Sequence, residues 1–167
     1  GPVIDNTALL SLLRKRNDLS VVLDVWENEP AVSPELADLC QIVSPHIAGY
    51  SLDGKIRGTF MLYEALCQFL SIEKENRLED FLPLADVSEV TQGELSALQL
   101  MQMIYDPRVD DQLLRDTLKL PEAEQRKAFD QLRKQYRIRR EFASLSVMGS
   151  PEPHLIEGLG FRLAEVG

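Results

Sequence analysis

The 167-residue chain contains two histidines, and the first of them, His46, lies in the stretch "SPHIAGYS". Two carboxylates precede it: Asp24 at the end of the apolar run "LSVVLD", and Glu29 in the "ENEP" that follows. A histidine paired with a carboxylate can serve as a general acid/base, because the carboxylate orients the ring and stabilises the imidazolium. Oxidation of an alcohol is one reaction that needs such a group: a base takes the hydroxyl proton while a hydride departs. Spacing alone leaves two readings open. His46 is either that acid/base or a hydrogen-bonded structural histidine following a strand, and Glu-Pro pairs are common loop punctuation.

The surrounding pattern predicts how these residues are held. "NTALLSLLRKR" reads as a helix capped by Asn6 or Thr7, with Arg14, Lys15 and Arg16 in its last turn. Val21, Val22, Leu23 and Val25 form a short apolar run expected to be a strand covered on both faces. "SPELADLC" reads as a helix with Ser33 as N-cap and Pro34 in its first turn, and Gln41–Val43 as a second strand. Strand, helix and strand at this spacing imply a βαβ unit and a parallel sheet. Ligands bind such sheets beyond the carboxyl ends of the strands, where Asp24, Glu29 and His46 would all project.

Downstream, "SLDGKIRGTFMLYEALCQFLSIE" reads as a long helix capped by Ser51, with Leu52, Ile56, Leu62, Leu66, Phe69 and Leu70 at helical spacing. Gly54 and Gly58 share one face and suggest close backbone approaches. Residues 73–90 are polar and acidic and read as a linker. Beyond them, "ELSALQLMQMIY", "DDQLLRDTL" and "PEAEQRKAFDQLRKQY" look helical, "EFASLSVM" looks like a strand, and "PEPHLIEGLGFRLAEV" suggests a short helix, a stop at Gly160 and a terminal strand. The expected organisation is 1–72, a linker at 73–90, and a small α+β domain at 91–167.

Composition excludes several classes. A formal net charge of −9 is the wrong sign for a general nucleic-acid or anionic-membrane surface. No apolar run approaches the roughly 20 residues that span a bilayer. Cys40 and Cys67 lack metal-ligand spacing and suit reduced, partly buried thiols in the cytoplasm. No metal site is expected. His154 reads as exposed, Met101 and Met103 as helix core or interface, and the basic run "RKQYRIRREF" as ion pairing or a subunit contact.

Read together, "GPVIDNTAL", "LDVWENEP" and "SPHIAGYSLDGKIRGT" resemble, in order and spacing, the closing third of the cofactor domain of NAD-dependent D-2-hydroxy-acid dehydrogenases. The resemblance implies an α/β fold: the C-terminal part of a Rossmann-type parallel-sheet NAD domain, a long connecting helix, then the small α+β domain. It implies Glu29 and His46 as the catalytic dyad, Asp24 and Gly49 as cofactor contacts, and NAD as the cofactor. "YDPRVDDQLLR" and "LRKQYRIRREF" extend the likeness to members acting on a phosphorylated hydroxy acid, with Tyr50 as a substrate contact and residues 91–167 as a homodimerisation domain. Another phospho-hydroxy-acid dehydrogenase and a non-catalytic dimerisation module are the alternatives. The family's Gly-x-Gly-x-x-Gly loop and substrate-binding domain are missing, and its catalytic arginine would immediately precede Gly1. The chain is therefore expected to be a C-terminal fragment, inactive alone.

Overall fold

The first helix, α1 (Asn6–Leu13), starts one residue earlier than the sequence suggests, because Asp5 is the cap: its carboxylate accepts the Ala8 N–H at 2.8 Å. Asn6 is used elsewhere. It exchanges hydrogen bonds with Glu27, N–H to Oε2 at 3.0 Å and the Glu27 N–H to Oδ1 at 3.1 Å, which ties the helix start to the loop bearing Glu29. In this computed structural model, residues 3–164 are described. Gly1 and Pro2, which open the first matched motif, and the last residues of the expected terminal strand lie outside that range.

The described chain is mixed α/β, with seven α-helices and two short parallel sheets. It divides into two compact units. One runs to Ala48 and takes in Pro107–Arg137; the other comprises Gly49–Asp106 and the stretch from Ile138. Each of these units is assembled from two stretches of sequence.

In the first unit, β1 (Val22–Leu23) and β2 (Ile42–Val43) pair in parallel, Val22 opposite Ile42 and Leu23 opposite Val43. Between them lies α2 (Pro34–Leu39), capped by Ser33 as expected. The βαβ reading holds, but β1 is shorter than predicted. Its apolar run is not covered on both faces either: Leu23 is buried while Val22 is 61% exposed. The pleat sends alternate side chains to opposite faces, and among the described residues the packed layer lies on the face that carries Leu23 and Val43.

That layer includes two helices from far downstream, α5 (Pro107–Leu118) and α6 (Glu122–Lys134). Leu114 and Phe129 join Leu13, Leu23, Trp26, Val32, Leu36, Ala37, Cys40 and Val43 in one core. Polar side chains on α5 finish backbone hydrogen bonding that the short sheet leaves open. Asp111 Oδ1 accepts the Val43 N–H at 2.8 Å, and Arg115 donates to the Ala37 and Cys40 carbonyls at 2.9 and 3.0 Å, capping the end of α2. Asp110, fully buried, accepts from Tyr136 Oη at 2.7 Å and Arg137 Nη1 at 2.6 Å.

Cys40 sits in this core, and burial pushes its thiol up to about 11, with Arg115 pulling weakly the other way. Thiolate is the reactive form. Cys40 is therefore expected to resist alkylation at pH 8 in the folded chain and to react once denatured. Peptide mapping of labelled sites before and after denaturation checks this; native labelling of Cys40 at the rate of a free cysteine would refute it.

The second unit holds the long helix α3 (Leu52–Leu70), capped by Ser51, whose Oγ accepts the Gly54 N–H at 3.0 Å. The close approach expected at the two glycines occurs at Gly54 alone. A Cβ there would meet Ser51 Oγ at 2.7 Å and Glu141 Oε1 at 3.2 Å, whereas at Gly58 it would meet nothing within 4 Å. The apolar side of α3 is not core: Leu62, Leu66 and Leu70 are exposed and Phe69 is 84% exposed.

Residues 73–90 are not a bare linker. Tyr63 Oη accepts the Glu75 N–H at 2.9 Å, Leu78–Phe81 form a 3-10 turn, and β3 (Glu89–Thr91) begins inside the segment. β3 escaped the sequence reading because Val90 is its single apolar residue. It pairs with β4 (Ser146–Met148), which pairs with β5 (Arg162–Ala164), all in parallel. The sheet is thus built from parallel strands, with α7 (Pro153–Gly158) as the crossover between β4 and β5. α4 (Ala97–Ile104) contributes Leu100 to a core with Leu145, Val147, Ile156 and Phe161. Met101 packs against that core, Met103 is exposed, and so is His154. Among the described residues, no helix is long and apolar enough to cross a membrane.

Candidate active site

Three of the residues singled out in the sequence converge at the carboxyl ends of β1 and β2. Glu29 and His46 form a pair, His46 Nδ1 to Glu29 Oε2 at 2.7 Å. With Nδ1 held by the carboxylate, the ring presents Nε2 as its remaining proton-transfer atom. The His46 side chain is 42% exposed and that of Glu29 19%, so the imidazole can be reached while its partner is shielded.

The loops are fixed by a small set of bonds. Asp24 Oδ1 accepts from Ser44 Oγ at 2.6 Å and from the Ile47 N–H at 2.8 Å; its Oδ2 accepts from the Ala48 N–H at 3.1 Å. Asp24 therefore grips the backbone immediately after His46. That grip is needed because His46 has φ 57°, a left-handed conformation that non-glycine residues adopt only when their surroundings over-determine it. Glu29 Oε1 accepts the Trp26 N–H at 2.7 Å, and Trp26 Nε1 donates to the Ser44 carbonyl at 3.1 Å. Trp26 and Ser44 were not singled out in the sequence. The usable signal was that the chain has one tryptophan, placed between Asp24 and Glu29.

Gly49 and Tyr50 fall in the second unit. A Cβ at Gly49 would meet nothing within 4 Å, so the described residues leave that backbone open to approach. Tyr50 is half-buried, with Lys55 Nζ 4.3 Å from its ring centroid. The basic run contributes ion pairs, as one of its two readings held: Arg137 to Asp110, and Arg140 to Asp53. Among the described residues, no group of three or more His, Cys, Asp or Glu side chains could hold a metal ion.

A carboxylate-held imidazole at the carboxyl ends of parallel strands can act as a general acid/base, and the chain's relatives are dehydrogenases. They are named erythronate-4-phosphate dehydrogenase, and this chain is homologous to them along most of its length. It is 49% identical to that of Pseudomonas putida strain GB-1 over 98% of the chain and 45% of the relative. It is 48% identical to that of Pseudomonas putida strain W619 over 94% of the chain and 43% of the relative. For Shewanella baltica strain OS185 the values are 46%, 96% and 43%. The chain thus spans less than half the length of these relatives. Residues 81–160 match the family described as "Domain of unknown function (DUF3410)".

Proposed function

We propose that this chain is the acid/base and C-terminal portion of an NAD-dependent erythronate-4-phosphate dehydrogenase, oxidising the 2-hydroxyl of 4-phospho-D-erythronate in the pathway to pyridoxal phosphate. The observation that carries the reading is the 2.7 Å contact between His46 Nδ1 and Glu29 Oε2. His46 Nε2 takes the hydroxyl proton. Glu29, itself held by the Trp26 N–H, keeps the ring oriented and offsets the positive charge it gains.

Asp24 fits a cofactor contact. Its carboxylate has about four acceptor positions, and three are used inside the chain, two on Oδ1 and one on Oδ2. The position left on Oδ2 can accept a carboxamide N–H. Bound there, NAD would supply the hydride acceptor. Gly49 would allow close approach of the cofactor, and Tyr50 would contact the phosphorylated substrate. Residues 91–167 would serve homodimerisation, and the enzyme would work in the cytoplasm.

The 167 residues contain no Gly-x-Gly-x-x-Gly loop to cradle a pyrophosphate. The isolated chain is accordingly expected to show no NAD-dependent oxidation of 4-phospho-D-erythronate, while a full-length chain carrying this segment turns over. Following NADH absorbance with both proteins tests the reading. Turnover by the 167 residues alone would overturn the expected inactivity; none by the full-length chain, with activity on another phospho-hydroxy acid, would move the assignment to that substrate.

A further inference from the structure

The dyad partners stand on different loops, Glu29 after β1 and His46 after β2, and one residue bonds to both loops, through its backbone N–H to one and its side chain to the other. Trp26 is 2% exposed. Its backbone N–H holds Glu29 Oε1 at 2.7 Å, and its indole Nε1–H holds the carbonyl of Ser44, two residues before His46, at 3.1 Å. The same Ser44 donates its hydroxyl to Asp24, which binds the N–H groups of Ile47 and Ala48 on the other side of the histidine. His46 is thus bracketed, and the bracket is joined to the glutamate loop through the indole. Packing alone does not require the indole N–H here; a ring system of the same shape without the donor would fill the same core.

We propose that Trp26 is a positioning residue that sets the separation of Glu29 and His46, acting through its indole N–H rather than through its bulk. The inference rests on the proposed acid/base reading for its catalytic consequence, but not for its geometry. Removing the donor frees the Ser44 carbonyl and lets the His46 loop drift from the glutamate. The ring then loses part of its Nδ1–H hydrogen bond, and proton transfer slows because the base is no longer held in place.

Since Trp26 is the single tryptophan, biosynthetic replacement by benzothienylalanine changes this site alone. That analogue keeps the shape of the ring system and lacks the N–H. The chain also has only two histidines, so His154→Gln assigns the His46 ring signals in nitrogen-15 NMR. In the replaced chain the His46 Nδ1 proton is expected to exchange with water about tenfold faster, the scale of one hydrogen bond. In a full-length chain Trp26→Phe is expected to lower kcat about tenfold with KM nearly unchanged.

Unaltered His46 ring signals and exchange in the replaced chain would overturn the proposal. So would loss of folding with the analogue, because Trp26 would then act on the whole core rather than on the dyad. The NMR readout needs no turnover. If exchange quickens but kcat of the Trp26→Phe full-length chain does not change, the tie stands and its proposed effect on catalysis falls.

Discussion

Replacing His46 with asparagine in a full-length chain carrying this segment is expected to lower kcat by about 10²–10⁴-fold, the usual worth of a positioned general base. Asparagine is close in size and can hydrogen-bond Glu29, so the loop retains its anchors at Asp24 and only the titratable ring is lost. Glu29→Gln is expected to do less. A glutamine keeps one acceptor oxygen, enough for the imidazole or for the Trp26 N–H but not for both, and it no longer offsets the charge of the imidazolium. Steady-state rates under saturating substrate separate the two variants. An unchanged kcat for His46→Asn would remove His46 from the reaction and leave it a structural histidine.

The second large effect is on stability. Asp53, buried at the first turn of α3, accepts Arg140 Nε at 2.9 Å, Arg140 Nη2 at 3.1 Å and the Glu141 N–H at 3.1 Å. Arg140 also donates to the Pro83 carbonyl at 2.6 Å, so one guanidinium joins three stretches of the second unit. Asp53→Ala strands this largely buried cation and is expected to cost about 3 kcal/mol, as removing one member of a buried pair does. Urea unfolding at neutral pH measures it.

Burial by itself would raise the Asp53 carboxyl, but the hydrogen bond and charge of Arg140, with the Glu141 N–H, hold it below the usual aspartate range. A depressed folded value means stability present above the ordinary value and lost as pH falls through the folded one. The gap between wild type and Asp53→Asn should therefore shrink as pH drops below about 4. A gap that stays constant down to acid pH would show that the ionised carboxylate is not its source.

Much of this molecule is legible in the residue pattern, and the failures have definite causes. Helices α2, α3, α5 and α6 are announced by caps, prolines and period. The Glu29–His46 pair is also legible, because an ordered set of motifs places both residues beyond parallel strands. What local pattern does not carry is the destination of an element. α5 and α6 read as amphipathic helices, but nothing in their period says that Leu114 and Phe129 pack with Leu23 and Val43. β3 was hidden because a strand with one apolar residue gives no alternation. Trp26 and Ser44 were missed because their role lies in single hydrogen bonds across loops, which composition does not encode.

The division of the first unit into two separated stretches governs how the chain emerges during synthesis. When Val43 has left the ribosome, Leu36 and Ala37 still lack Leu114 and Phe129, and the whole of Gly49–Asp106 is made before those partners appear. At about 5–20 residues per second the wait is several seconds, long compared with collapse of a small chain. During it the nascent protein carries an incomplete apolar core in the open. The core that carries the acid/base loops is thus made before α5 and α6 and closes only once Leu114 and Phe129 have been added.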